Sequence, residues 1–342
     1  MTQPDTSVSE AAPPIPALDF FIDREPPPDD FFADAVAGLS QRQKSLPPKY
    51  FYDRRGSALF DEICALEEYY PTRTELALLA DIGPELAAHA GPKRRVVEYG
   101  SGSSVKIRTL LDALSTPAEY TAIDISRAHL LNAATALAKA YPALRVGAIC
   151  ADFTDAALFQ SQSTALTYEG AGLGQFLGFF PGSTIGNFDP HAAISFLRHA
   201  RRQLGSDGQL LIGVDIKKDA GILKRAYNDA RGVTAEFNKN ILVRMKKELG
   251  ADVDCAAFAH RAFYNEPRGR IEMHLQSLQN QSIFIGDHTF TFTQGETIHT
   301  ENSYKYDSAG FSAAAAAAGW GRKAVWKDPQ DLFSIFLLEA KS

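Results

Sequence analysis

The sequence predicts an α/β fold: a mostly parallel sheet wrapped by helices, with an α+β unit inserted late in the chain. Three observations carry this. Short apolar runs alternate with helix-length segments between residues 95 and 215, the pattern of strand–helix–strand units. A glycine turn, Gly100-Ser-Gly102, joins the first of those runs to a helix. Beyond residue 217 the pattern changes to a long helical stretch followed by β-like runs.

Taken in order, Met1 to Asp30 is rich in Pro, Ser, Ala and Asp and lacks the basic start and apolar stretch of a signal peptide. Residues 1–30 are expected to be a disordered tail, tied down near Phe20-Phe21. Residues 31–90 read as helical, with breaks at Pro47-Pro48 and Pro71. Arg95-Val-Val97 is a strand, followed by Glu98-Tyr-Gly100-Ser-Gly102-Ser-Ser104 and a helix from Val105 to Leu114. Tyr120 to Ile125 is the next strand, with Asp124 near its end, and a helix runs from Ala128 to Ala140. Leu144 to Ala151 leads into Asp152-Phe153. Gln175 to Phe180 is continuously apolar, as a buried parallel strand should be. It opens into Pro181-Gly-Ser-Thr-Ile-Gly-Asn187, and a helix follows from Pro190 to Leu204. Gln209 to Asp215 is a fifth strand, and right-handed crossovers link such strands.

Residues 217–250 read as helix with a break near Gly232, and β-like runs span Phe258 to Thr293. A helix from Ser308 to Ala318 ends at Gly319, and Asp331 to Leu338 reads as a last strand returning to the sheet. The expected organisation is a main domain of residues 31–216 plus 305–342 and an inserted substrate-binding domain of residues 217–304.

The chain has 342 residues, 45% of them hydrophobic, and a net charge of -6. No block of Lys and Arg stands out, which argues against nucleic acid as a partner. The 3 cysteines are far apart and the 8 histidines form no ligand pattern, so neither a disulfide framework nor a metal site is expected. No apolar run reaches the ~18 residues of a membrane span. A cytoplasmic monomer with no membrane contact is expected.

The glycine turn narrows the ligand. A dinucleotide site wants G-x-G-x-x-G, and the third glycine would fall on Val105. An acid, Glu98, stands before the first glycine instead. The pattern resembles the S-adenosylmethionine site of Rossmann-like class I methyltransferases. Asp124 lies where a carboxylate accepts from ribose hydroxyls, and Asp152 with Phe153 suits an adenine amino group and ring face. Each acid has a plain alternative, as a cap for the helix that follows it.

Further motifs resemble the histidine Nα-methyltransferase family of ergothioneine biosynthesis. They are Lys49 to Asp61, Glu68-Tyr69-Tyr70-Pro-Thr-Arg73-Thr-Glu75, Gly182-Ser-Thr-Ile-Gly-Asn187, Arg225 to Asn238, Arg270-Ile-Glu-Met273 and Thr300-Glu301-Asn-Ser303. Departures are small: Glu67 stands in place of a usual Pro, and Tyr99 in place of a usual Leu. The resemblance implies a class I methyltransferase fold and transfer of three methyl groups from S-adenosylmethionine to the α-nitrogen of L-histidine, through mono- and dimethylated intermediates. It implies that Gly100, Gly102, Lys106, Asp124, Asp152, Phe153 and Tyr52 hold the cofactor. Asn187 and Tyr227 would hold the substrate carboxylate, and Tyr69, Glu301 and Ser303 the imidazole. Tyr52 and Gly182 would lie beside the amine, with Met273 as a pocket wall. Aromatic walls from Tyr52, Phe60 and Phe153 would suit a cationic sulfonium and a growing quaternary ammonium.

Read without the resemblance, the same residues allow plainer roles. Tyr52 and Tyr69 read as half-buried tyrosines, Asn187 as a helix cap, Lys106 as a solvated helix lysine, Phe60 as core, and Arg73 with Glu75 as a structural pair. Methylation of another amino acid or amine, or a catalytically silent S-adenosylmethionine-binding regulatory protein, are the alternatives left open.

Overall fold

The structure is a computed structural model and describes residues 17–24, 28–102, 104–155 and 174–341. Its main sheet draws on β1 (Phe20–Asp23), β2 (Arg95–Tyr99), β3 (Glu119–Asp124), β4 (Arg145–Cys150), β5 (Phe176–Phe180) and β6 (Gln209–Asp215). A second group comprises β7 (Phe258–Asn265), β8 (Arg270–Ser277), β9 (Gln281–Ile285), β10 (His288–Phe292) and β11 (Thr297–Tyr304). β12 (Trp320–Lys327) and β13 (Phe333–Ala340) close the chain. The main sheet has eight strands in the order β1-β4-β3-β2-β5-β6-β13-β12. β1 through β6 pair in parallel, and β13 and β12 are antiparallel. The five strands expected between residues 95 and 215 are all present, in the order of a doubly wound sheet.

The sheet is wrapped by α3 (Tyr70–Asp81), α4 (Gly83–Ala90), α5 (Val105–Ala113), α6 (Arg127–Ala140), α7 (Pro190–Leu204) and α10 (Ser308–Ala317). β2 and β6 are buried along their whole length; β6 reads as a nearly unbroken apolar run for that reason, while in β2 the buried Arg95 pairs with Glu119 and Glu98 accepts from the Tyr120 hydroxyl. The strand order reverses between β2 and β5, and a crevice opens there at the carboxyl ends of the strands, where open α/β sheets bind ligands.

Three strands differ from expectation in extent or presence. The tie-down expected near Phe20-Phe21 is a full strand: Phe20–Asp23 adds β1 to the edge of the sheet, with Phe20 opposite Gly147. A Cβ at Gly147 would come within 1.9 Å of the Phe20 ring, so the glycine makes room for that docking. Residues 1–16 and 25–27 of the expected tail lie outside the described residues, and its last three, Pro28 to Asp30, instead open the first helix. β12 was hidden by its polar centre, Gly321-Arg-Lys323, because an edge strand needs little apolar surface. The last strand starts two residues later than expected, after a turn in which Asp328 accepts the N–H groups of Gln330, Leu332 and Phe333.

The inserted segment contributes α8 (Ala220–Ala226), α9 (Val233–Glu248), an antiparallel sheet in the order β11-β8-β7, and the β9–β10 hairpin. It does not pack alone. α1 (Pro28–Leu39) and α2 (Arg54–Cys64) share its core: Phe31, Leu39, Phe51, Ile63 and Tyr70 cluster with Phe237, Ile241, Met245, Ile271, Leu275 and Ile298. The sequence assigns residues 31–70 to the main domain, but their apolar faces are buried against the insert. Among the described residues no helix is long and apolar enough to cross a membrane.

Candidate active site

At the carboxyl ends of β2, β3 and β4 the backbone makes a cleft. Gly100 has φ +74, and a Cβ there would lie 3.4 Å from the Phe153 ring. The positive φ favours glycine, and the ring packs directly on the turn. Phe153 is held edge-on by Phe180 at 5.6 Å and Phe196 at 6.0 Å. Asp124 ends β3; its Oδ1 accepts the Ser126 N–H at 2.8 Å and its Oδ2 faces the Gly102 N–H at 3.4 Å. Burial raises the pKa of Asp124, and its free lone pairs suit a hydroxyl donor. The buried Ser101 hydroxyl has no hydrogen-bond partner among the described residues. These features fit S-adenosylmethionine: a carboxylate for its ribose, an aromatic face for its adenine, and glycines that let the backbone approach.

A second pocket opens beside that cleft. It is lined by Tyr52, Phe60, Tyr69, Gly182, Asn187, Tyr227, Met273, Glu301 and Ser303, and also by Ile63, Ser183, Thr184, Ala226, Thr234 and Phe237. The loop after β5 supplies Gly182 to Asn187, and the antiparallel sheet supplies Met273 and Glu301, which face each other in register. Rings form one wall: Tyr52 and Phe60 lie 5.7 Å apart, Phe60 and Phe237 5.8 Å, and Tyr52 and Phe237 5.5 Å. Tyr69 meets Tyr227 at 6.2 Å.

Four polar side chains in this pocket, those of Tyr52, Tyr69, Asn187 and Glu301, make no hydrogen bond or ion pair among the described residues. Glu301 is only 8% exposed. Burial pushes its carboxyl up to about 8, against an opposing pull from Lys305. An unpaired buried acceptor costs stability unless a ligand donor meets it.

Comparison with known proteins decides the family. The model of a family described as histidine-specific, S-adenosylmethionine-dependent methyltransferases matches residues 31–340. This chain belongs to that family. A histidine N-alpha-methyltransferase from Mycolicibacterium smegmatis is 40% identical over 309 residues, covering 89% of this chain and 93% of its own. One from Mycobacterium tuberculosis is also 40% identical, with the same coverage. Ergothioneine biosynthesis protein 1 of Schizosaccharomyces pombe is 30% identical over 78% of this chain and 35% of its own length.

Within this histidine-specific methyltransferase, the expected substrate residues converge. All nine line the one pocket. The plain reading of Asn187 as a cap is excluded, because Asp189 caps α7 by accepting the N–H groups of His191 and Ala192. Phe153, expected to wall both ligands, is not among the residues that line the second pocket. Lys106 is neither solvated nor free: its ammonium pairs with Glu75 Oε2 at 2.6 Å. Glu75 also accepts the Gly182 N–H at 2.8 Å, and Arg73 donates to the Leu66 carbonyl, so Arg73 and Glu75 are not a pair. Asp152 Oδ1 accepts the Thr154 N–H at 2.8 Å, while its Oδ2 lies 3.8 Å from Lys49 Nζ.

Sequence reasoning missed Phe237 and Thr234, which sit on the pocket side of α9 and read as ordinary helix-face residues. It also missed Glu272, His274 and His299, whose candidate ligand atoms gather within 4.8 Å of one another. That cluster suits an ion poorly. Glu272 already accepts from Arg270 at 2.6 Å and from His274 at 3.1 Å, and the two imidazoles stack at 4.7 Å with nearly parallel planes.

The raised Glu301 carboxyl makes a testable link to stability. A folded-state pKa of about 8 against an ordinary 4.5 means that its contribution is full below pH ~4.5 and is lost as pH rises through ~8. Glu301→Gln is therefore expected to raise Tm relative to wild type above pH ~8 and to lose that advantage below pH ~4.5. Thermal melts of both proteins across this range, without histidine, check it. Parallel curves would place Glu301 in solvent.

Proposed function

We propose that this enzyme trimethylates the α-nitrogen of L-histidine to the betaine hercynine, with the mono- and dimethylated amino acids as intermediates, in ergothioneine biosynthesis. The observation that carries this is the set of partnerless side chains in one buried pocket: Glu301, Tyr69, Asn187 and Tyr52. They match the groups of a free histidine. Glu301 accepts an imidazole N–H while Tyr69 and Ser303 serve the same ring. Asn187 and Tyr227 take the carboxylate, and Tyr52 stands beside the amine with Gly182. The names of the two relatives 40% identical to this chain support the same substrate.

Gly100, Gly102, Asp124, Asp152 and Phe153 would hold the cofactor, with Lys106 contributing its charge through the Glu75 pair. When bound, S-adenosylmethionine supplies an electrophilic methyl group on a sulfonium. What the chain itself supplies is position and environment. The amine must be neutral to offer a lone pair. Burial holds the Tyr52 phenol well above its ordinary pKa, so Tyr52 keeps its proton and acts as a hydrogen-bond partner rather than a base. Holding the amine in line accounts for most of the acceleration. The rings of Tyr52, Phe60 and Phe237 favour the cation that grows on nitrogen. A monomer working on free amino acids in the cytoplasm completes this reading.

Methyl-transfer assays with a panel of amino acids test it. L-Histidine is expected to exceed L-leucine and L-phenylalanine by ~10²-fold or more in kcat/KM, since an apolar side chain strands buried acceptors. Comparable turnover of an apolar amino acid would overturn the assignment.

A further inference from the structure

Behind Tyr227 and Ser303 lies a charged cluster that the roles above do not use. Lys305 follows β11, and its ammonium is 1% exposed. All three of its N–H donors are engaged: with Asp215 Oδ2 at 2.7 Å, Ser303 Oγ at 2.7 Å and the Tyr227 hydroxyl at 3.2 Å. The Tyr227 and Ser303 oxygens are themselves 2.8 Å apart. Two hydroxyls carry two protons. One spans the pair, and Lys305 occupies a lone pair on each oxygen. The remaining proton therefore points away from the cluster, on the side where both residues line the pocket. There the pair presents a donor.

The charges point the same way. Asp215 is shared by two ammonium groups, Lys305 and Lys218, and it also accepts from the Tyr70 hydroxyl at 2.7 Å. Asp328 also draws on Lys218, so the charge that stands nearest the two hydroxyls is the Lys305 ammonium. A buried ammonium in a low-dielectric wall is felt strongly by a ligand beside it.

We propose that Lys305 is a positioning residue that makes this pocket select amino acids with a free carboxylate: it turns the Tyr227–Ser303 hydroxyl pair into a hydrogen-bond donor and backs it with buried positive charge. The proposal rests on the reading of the pocket as a histidine site. Lys305 does not line the pocket and acts only through the two hydroxyls. Without it, both oxygens regain a free lone pair and nothing fixes which way the outward proton turns.

The test is calorimetric titration of the full chain, without methyl donor, with L-histidine and with histamine. Histamine keeps the imidazole and the amine and lacks only the carboxylate. Wild type is expected to favour histidine over histamine by ~100-fold, the scale of a charge-assisted contact. Lys305→Met should cut that ratio to ~10-fold or less, with histamine affinity changed by no more than about threefold. A merely structural loss would weaken both ligands together. Because Lys305→Met leaves Asp215 with one cation fewer, Lys305→Met/Asp215→Asn is measured as well, removing the pair as a unit. It should show the same loss of ratio. Wild-type selectivity in both folded variants would overturn the role of Lys305 alone. Failure of wild type to bind histidine would overturn the reading of the pocket and this proposal with it.

Discussion

Glu301→Ala lowers kcat/KM for L-histidine by roughly 10²-fold or more, the scale of a lost charged hydrogen bond in a buried site. Glu301 is buried, lacks a protein partner among the described residues, and lies opposite Met273 across the β11–β8 pair. Truncating it removes the acceptor that rewards an imidazole and the penalty that rejects an apolar ring. Adding Met273→Val widens the same wall from the facing strand. The double variant should gain activity toward larger aromatic amino acids such as tryptophan, relative to histidine. S-adenosylmethionine affinity should hold, because Gly100, Asp124 and Phe153 form a separate cleft. Steady-state kinetics with both amino acids read the switch. Unchanged histidine kcat/KM would mean that Glu301 does not touch the substrate.

The second large effect is on the cofactor. Asp124→Ala weakens S-adenosylmethionine binding by ~10²-fold or more, since each hydrogen bond to a charged acceptor is worth ~1.5–3 kcal/mol and two ribose hydroxyls are available. Asp124 also accepts the Ser126 N–H, so part of any loss of Tm is local. Calorimetry on protein with a cooperative melt separates the two. Wild-type affinity in such protein would reduce Asp124 to a turn-forming residue.

The pocket was more legible in the sequence than the wall behind it, for physical reasons. Gly182 to Asn187 follow an apolar strand, so their place at a strand end could be read from order alone. Glu301 and Ser303 alternate, and alternation puts them on one face of a strand. The same period extends to Lys305, which could have been read as the third member of that face. Its partners could not be read that way. Asp215 and Lys218 are three residues apart, but Tyr70 and Tyr227 come from separate elements and reach Lys305 and Asp215 only through tertiary packing. Phe237 was hidden because an aromatic on an amphipathic helix reads as core. The edge strands β1 and β12 were hidden because β1 is short and β12 polar. The packing of residues 31–70 against the insert was invisible because helix periodicity reveals an apolar face but not the surface that covers it.

Tandem mass spectrometry of the product from L-histidine and methyl-labelled S-adenosylmethionine tests the central claim most directly. The account predicts singly, doubly and triply methylated histidine in succession, with every label on the α-nitrogen and the trimethylated betaine accumulating. Label on an imidazole nitrogen, or donor turnover that leaves histidine unmodified, would contradict it.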